Sequence, residues 1–349
     1  MSKAEKPIVL YGMGDGADKI LNSCKEKNIT ISGVFASDGF ASGKLFHTFN
    51  VISYSEMCKR FDDFIVLLSF ATQRKEVLDN IYKIAFEREL YCPDVPVFGN
   101  GLFDSSFVHN HINEFENIYN LLSDDLSRQA YINVILGKLT GKIGYLKNCE
   151  TNVAEAYASI IKPDSSFHYV DIGAYNGDTI REFLLFSGGS TKKITAFEPD
   201  LKNYNKLICF ANEAGIDTSS FHNVACWNKE EVLQFYSRSG RNSAKTSNHE
   251  NAKTTLINAL KADTCITEKP DFINIDAEGS DALVIEGLSE TINKYKPTLS
   301  CALYHRNEDM FKIPQLLFEK YGECEMYIRH FPYLPAWDTN VYAKAKINK

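Results

Sequence analysis

Residues 170–183, "VDIGAYNGDTIREF", carry the clearest structural pattern in the chain. An apolar strand entry runs into a turn carrying Gly173 and Gly177, and a helix follows whose Ile180, Phe183 and Leu184 share one face. Strand, tight glycine turn and helix are the opening of a parallel α/β sheet, and such a turn commonly presents backbone N–H groups to a phosphate. Here, however, Asp171 and Asp178 flank it. A pyrophosphate would meet two like charges in a partly dry pocket, so a dinucleotide is disfavoured.

Downstream, "KITAFEPD" supplies a second strand ending in Glu198, "FHNVACW" a third, "DFINIDAEG" a fourth and "PTLSCALYH" a fifth. Helical patterns between them predict a parallel sheet covered on both faces. Ligands of such sheets lie at the carboxyl ends of the strands. Asp171, Glu198, Asn223, Asp276 and His305 all fall at such ends. S-adenosylmethionine, with its positive ammonium and sulfonium and no phosphate, suits acids at these positions. Gly173 and Gly177 would let the backbone approach its amino-acid part, and the helix start after Asp178 would receive its carboxylate. Glu198, followed by Pro199, is placed to accept from both ribose hydroxyls. A plainer role for Asp178 is to cap the helix.

The carboxyl-terminal "CEMYIRHFPYLPAWDTNVYAKAK" predicts two strands joined by a proline-containing loop, closing the sheet with an antiparallel hairpin; Leu334 to Asp338 would border the cleft. A second strand, glycine turn and helix stands at the amino terminus in "PIVLYGMGDGADKILNSC", with Gly12-x-Gly14 and, some 20 residues on, Asp38 at ribose-reaching distance. Two readings stand for it: a nucleotide or sugar-nucleotide site, or a turn that only lets helix and strand pack closely. Between the two, "INEFENIYNLLSDDLSRQAYINVILGKL" keeps apolar residues at helical spacing, with Ser123 as an N-cap candidate. The expected organisation is a small Rossmann-like domain over 1–99, a helical connector over 100–163 and a cofactor-binding α/β domain over 164–349.

Composition bounds the rest. The 349 residues, 44% apolar and 24% charged, are those of a globular protein large enough for two packed units. A formal charge of −7 offers no broad basic field, which disfavours nucleic acid and anionic membrane surfaces as partners. The start shows no signal-peptide pattern, so the cytoplasm is the expected location. Nine cysteines without a C-x-x-C pair argue against a structural zinc site or a disulfide framework and for buried free thiols.

The motifs "VDIGAYNGDT", "AFEPD", "NVAC", "PDFINIDAEGSDALVIEGL", "KPTLSCALYHRNEDMFKIPQLL" and "MYIRHF", in this order, resemble the FkbM family of S-adenosylmethionine-dependent methyltransferases of the class I fold. The resemblance covers the second lobe, and "LLSDDLSRQAYINVILGKLTG" is similar to the segment preceding that domain in some members. It implies methyl transfer to oxygen, often on sugars or natural products, with acceptors that differ widely among members. On the matching motifs, cofactor contacts fall to Asp171, Gly173, Ala174, Tyr175, Gly177, Asp178, Thr179, Glu198, Pro199, Asn223, Val224, Ala225 and Asp276.

Methyl transfer to a hydroxyl needs collinear oxygen, carbon and sulfur and a proton acceptor. His305 has the ordinary pKa of a base, and equally fits a histidine that satisfies local backbone groups. Asp276 and Glu278 flank Ala277 at the end of the fourth strand, where two acids would be costly without a function. A minority reading gathers Asp276, Glu278, His305 and His330 around a divalent metal; the preferred one needs no metal. Trp227 and the tyrosines are candidate floors for a sugar, or simply core. "SRSGRNSAKTSNHENAKTT", residues 237–255, reads as a lid or an exposed hairpin loop, its Arg238, Arg241 and Lys245 suited to an anionic acceptor such as a nucleotide sugar. A non-catalytic two-lobed nucleotide-sugar-binding protein is the alternative, and a nicotinamide enzyme comes third. A homo-oligomer is compatible with the sequence.

Overall fold

The computed structural model describes residues 5–37, 43–95, 98, 101–236 and 254–346. Asp38 and the basic residues of 237–253 lie outside them. The first sheet is built from β1 (Ile8–Tyr11), β2 (Ile31–Ala36), β3 (Leu45–Phe46), β4 (Phe49–Ser53), β5 (Ile65–Leu68) and β6 (Glu89–Tyr91). Their order is β3-β4-β2-β1-β5-β6, parallel except for the β3–β4 pair. All four residues of β1 and of β5 are buried, as continuous apolar strands must be when helices cover both faces. Helix Asp15–Glu26 buries Ala17, Ile20 and Cys24 against this sheet.

Helices then run from Ser105 to Ala156. In Asp125–Thr140 the N-cap is Asp124, whose carboxylate accepts from Ser127 N at 2.7 Å. Ser123, expected in that place, instead exchanges bonds with Met326, its N donating to Met326 O and its Oγ accepting from Met326 N. Tertiary pairing claimed the serine because the neighbouring aspartate could cap equally well. Buried Arg329 reaches from the second sheet to Asp124 and Glu155, binding these helices to it. Charged side chains of the helical segment thus take part in joining it to the second sheet.

The second sheet contains β7 (His168–Ile172), β8 (Lys193–Phe197) and β9 (Phe221–His222). β10 (Ala225–Cys226), β11 (Glu231–Tyr236) and β12 (Thr254–Leu260) form a separate small sheet. β13 (Phe272–Ile275), β14 (Thr298–Ala302), β15 (Cys324–His330) and β16 (Thr339–Ala345) complete the large one, ordered β15-β16-β14-β13-β7-β8-β9. Its first five strands in sequence are parallel, and β16 enters antiparallel between β14 and β15. This is the expected parallel sheet with its terminal antiparallel hairpin.

The expected third strand "FHNVACW" divides. Asn223 turns its amide to the carbonyls of Glu198 and Pro199, and Trp227 N pairs with Leu260 O, so the chain leaves the large sheet at His222. β11 and β12 pair antiparallel, as expected of the arms of a hairpin; of the segment 237–255 read as a lid or loop, Thr254 and Thr255 belong to β12 and 237–253 lie outside the described residues. One apolar core runs through both lobes, from Val9 and Phe35 to Ile273 and Val341. Six of the nine cysteines are buried, while Cys209 is exposed, and all are free. Among the described residues no helix is long and apolar enough to cross a membrane.

Candidate functional site

A cavity of about 380 Å³ opens at the carboxyl ends of β7, β8, β13 and β14, a size typical of small-molecule sites. Its geometry starts at the glycine turn. Gly173 has φ +88°, and a Cβ there would lie 2.0 Å from the carbonyl oxygen of Asp276, so only glycine lets the β7 and β13 ends meet. Gly173 N and Ala174 N both donate to Phe197 O, and Gly177 N to Ala174 O at 2.7 Å. Gly177 is the N-cap of helix Asp178–Phe186, and Asp178 is its first residue, exposed and in the wall of the cavity. Capping by the Asp178 side chain is therefore replaced by an acid in the first turn, favourable to the helix dipole.

The two loop acids part company. Asp171 is fully buried behind the cavity wall, accepting from Thr179 Oγ1 and, at 3.2 Å, from Asn274 Nδ2. Burial pushes its carboxyl up to about 6. Gly173, Tyr175, Asp178, Thr179, Glu198, Pro199, Val224, Ala225 and Asp276 reach the cavity. Asp171, Ala174, Gly177 and Asn223 stand behind them and shape the turns.

Glu198, 6% exposed, accepts from Tyr175 N at 2.9 Å through one oxygen and from Asp200 N at 2.8 Å through the other. Each oxygen keeps a second lone pair for a ligand hydroxyl. Burial raises its carboxyl to about 7. Further along, Glu182 also lines the cavity, with burial pushing its carboxyl up to about 7.

At the other end, His305 is enclosed, 1% exposed. Its Nδ1 lies 2.9 Å from Asp281 Oδ2, and its Nε2 lies 3.2 Å from Asp276 Oδ1 and 3.8 Å from Glu278 Oε2. Burial pulls the imidazole pKa down, but the Asp281 and Asp276 carboxylates outweigh it and raise it well above the ordinary value. The carboxylates facing both ring nitrogens thus favour the imidazolium form of His305, which does not suit a proton acceptor. Tyr304 donates to Asp276 Oδ2 at 2.8 Å. Glu278 holds the left-handed φ of +48°, and burial and Asp276 push its carboxyl up to about 8. Positive φ in a non-glycine residue is a strained backbone of the sort that collects at functional sites.

Asp281 is the residue that sequence reasoning missed. Its 1%-exposed carboxylate accepts from Ala277 N at 2.8 Å and Gly279 N at 3.1 Å as well as facing His305, so it fixes the whole loop after β13. A polar "EGSD" at a helix start was the available signal. One ligand atom from each of Asp276, Asp281 and His305 lies within 4.8 Å of the others, a cluster of metal-ligand type whose two carboxylates also face opposite nitrogens of the imidazole ring. His330, also considered for a metal, is buried elsewhere with Nδ1 2.9 Å from Thr339 Oγ1.

Trp227, Tyr304, Tyr333 and Trp337 line the cavity, and so does Asp338, whereas Leu334 is core. The first glycine turn is different. A Cβ on Gly12 would meet the Phe70 ring at 2.5 Å, and Ser69 Oγ donates to Tyr11 O, so side chains from the end of β5 fill its crevice. The close-packing reading fits that turn.

The strand order and the cavity at the strand ends define a class I methyltransferase fold. Residues 171–334 match the family described as "Methyltransferase FkbM domain". The chain carries an FkbM methyltransferase domain, and the protein is a methyltransferase. Methyltransferase FkbM from Methylobacillus flagellatus KT has a similar structure over nearly the whole chain, with a TM-score of 0.73 at 19% identity, covering 97% of this chain and 90% of that one. An rRNA methylase from Streptococcus thermophilus aligns with 56% of this chain and 95% of its own, at 14% identity and a TM-score of 0.34. No curated protein matches the sequence.

Proposed function

We propose that the protein transfers a methyl group from S-adenosylmethionine to a hydroxyl of a carbohydrate or related polyol. The observation that carries this reading is a single cavity joining Glu198, at the end of β8, to the Asp276, Glu278 and His305 group at the ends of β13 and β14. The donor fits the residues present. Carboxylates at Asp178, Glu182 and Glu198 suit a cation-bearing ligand, and Glu198 retains lone pairs for ribose hydroxyls.

When bound, S-adenosylmethionine supplies a methyl carbon already activated by sulfonium. The chain's residues do the rest. Asp276, held by Tyr304, orients the acceptor hydroxyl. Glu278, with a carboxyl pKa pushed near the working pH, takes its proton as the new bond to oxygen forms. His305, clamped by Asp281, remains a cation that balances the two acids and fixes the Asp276 rotamer. The base role weighed for His305 thus passes to Glu278.

Purified protein incubated with S-adenosylmethionine and a panel of sugars and polyols should produce S-adenosylhomocysteine. Failure across a wide panel, with donor binding intact, would refute the acceptor class. The non-catalytic nucleotide-sugar reading loses support from Phe70 at the first glycine turn. A domain division at 1–99, 100–163 and 164–349 accords with this function, the last segment holding every reacting group.

A further inference from the structure

The amino-terminal lobe has a filled crevice of its own, yet it touches the surroundings of the other lobe's cavity at two points. The chain leaving β5 first places Phe70 edge-on against Tyr11, ring centroids 5.0 Å apart. Two residues later Thr72 pairs with Leu334, Thr72 N donating to Leu334 O at 2.8 Å and Leu334 N to Thr72 O at 3.0 Å. Thr72 is buried, and its Oγ1 accepts from Arg74 N at 3.2 Å, which fixes the turn into helix Lys75–Glu87. The residue between, Gln73, is thereby held in the cavity wall. Its side chain makes no hydrogen bond to any described residue. The second point is Phe98, whose N donates to His305 O at 3.1 Å and whose ring lies 6.0 Å from the imidazole.

The wall shared with Gln73 is aromatic. Trp337 lies 6.3 Å from Tyr304 at an interplanar angle of 20°, and 5.9 Å from Tyr333. Flat aromatic faces receive the C–H face of a pyranose ring, while a primary amide offers both donors and an acceptor to its hydroxyls. The charged side chains described in the wall are acids apart from His305, which opposes a phosphate-bearing acceptor.

We propose that the acceptor subsite is shared by the two lobes: Gln73 is a specificity-determining residue whose amide hydrogen-bonds a hydroxyl of an uncharged sugar ring laid against Trp337. This rests on the methyltransferase reading above and narrows its acceptor to neutral glycosides. The first lobe then acts as a wall of the second lobe's site.

The test is saturation-transfer NMR on the full chain, with a panel of methyl glycopyranosides, in the presence of saturating S-adenosylhomocysteine. Calorimetry of S-adenosylhomocysteine is run first on each protein. The Gln73→Ala variant should bind the best glycoside about 5- to 10-fold more weakly, the effect of one hydrogen bond, while its affinity for S-adenosylhomocysteine stays within about twofold. Gln73→Asn should recover part of the loss, and Trp337→Ala should weaken the same glycoside independently. Because Gln73 is exposed, its variants should melt with the wild type. Unchanged glycoside affinity in Gln73→Ala overturns the proposal, as does a wild type that binds S-adenosylhomocysteine but no glycoside. A wild type that fails in the calorimetry removes the donor reading itself and this proposal with it.

Discussion

The protein contains the same local device twice; among the described residues the second copy opens onto a ligand-sized cavity, while a phenylalanine ring packs against the first. Both Gly12–Gly14 and Gly173–Gly177 follow a buried strand and precede an amphipathic helix, with positive φ at all four glycines. The difference lies opposite the turn. Across from Gly12 the end of β5 contributes the Phe70 ring; across from Gly173 the end of β13 contributes only the Asp276 carbonyl, and its polar side chains point into the cavity. A glycine turn therefore reports a bend that brings two strand ends together. The neighbouring strand decides whether a ligand follows.

Substitutions at the two turns test that contrast most severely. Gly173→Ala would force a Cβ against backbone at a left-handed φ, and should cost about 4 kcal/mol or more and abolish S-adenosylhomocysteine binding, read by melting and calorimetry. A folded, binding-competent variant would break the comparison. Next in size, Asp276→Asn should lower turnover by about 100-fold or more with donor affinity nearly kept, since it disturbs the proton-handling group. Glu198→Gln should weaken donor binding about 10-fold, because its amide nitrogen would face one of two backbone N–H donors.

A smaller effect follows from pH. Glu198 and Asp171 have carboxyls raised by burial to about 7 and about 6, above their unfolded values. The folded state therefore favours their protonated forms; that stability is fully present below the unfolded pKa and is lost as pH rises through the folded one. Unfolding free energy of the ligand-free protein should fall between pH 5 and 8 by on the order of 2 kcal/mol, while donor affinity rises as Glu198 ionises. Denaturant titrations and calorimetry across that range read both; parallel trends would contradict the role given to Glu198. The smallest effect on donor binding belongs to the first turn. Gly14→Ala meets open space and only backbone strain at φ +117°, so it should cost about 1 to 3 kcal/mol and leave S-adenosylhomocysteine affinity unchanged.

Much of the architecture was legible because buried parallel strands are written as continuous apolar runs, as "IVLY" and "HYVDI" are, and because helices alternate with them. The strand ends were legible for the same reason, and with them Glu198, Asp276, Glu278 and His305. What stayed hidden depended on which strands are neighbours. Asp171 reads as a pocket acid until β13 beside β7 brings Asn274 against it. Phe70 reads as one more apolar residue until β5 lies beside β1. Asp281 resembles any acid at a helix start, and only the fold shows that it sets the protonation of His305. The third strand was misjudged at Asn223 because a side-chain amide, rather than a glycine or proline, ended it.

The pair of backbone bonds between Thr72 and Leu334 has a mechanical consequence. They stitch the two halves together at the rim of the cavity, beside an apolar interior common to both, so the halves cannot swing apart like jaws without tearing a buried seam. Leu233, Gln234 and Ile257 of the β11–β12 arm line the same cavity without belonging to that seam.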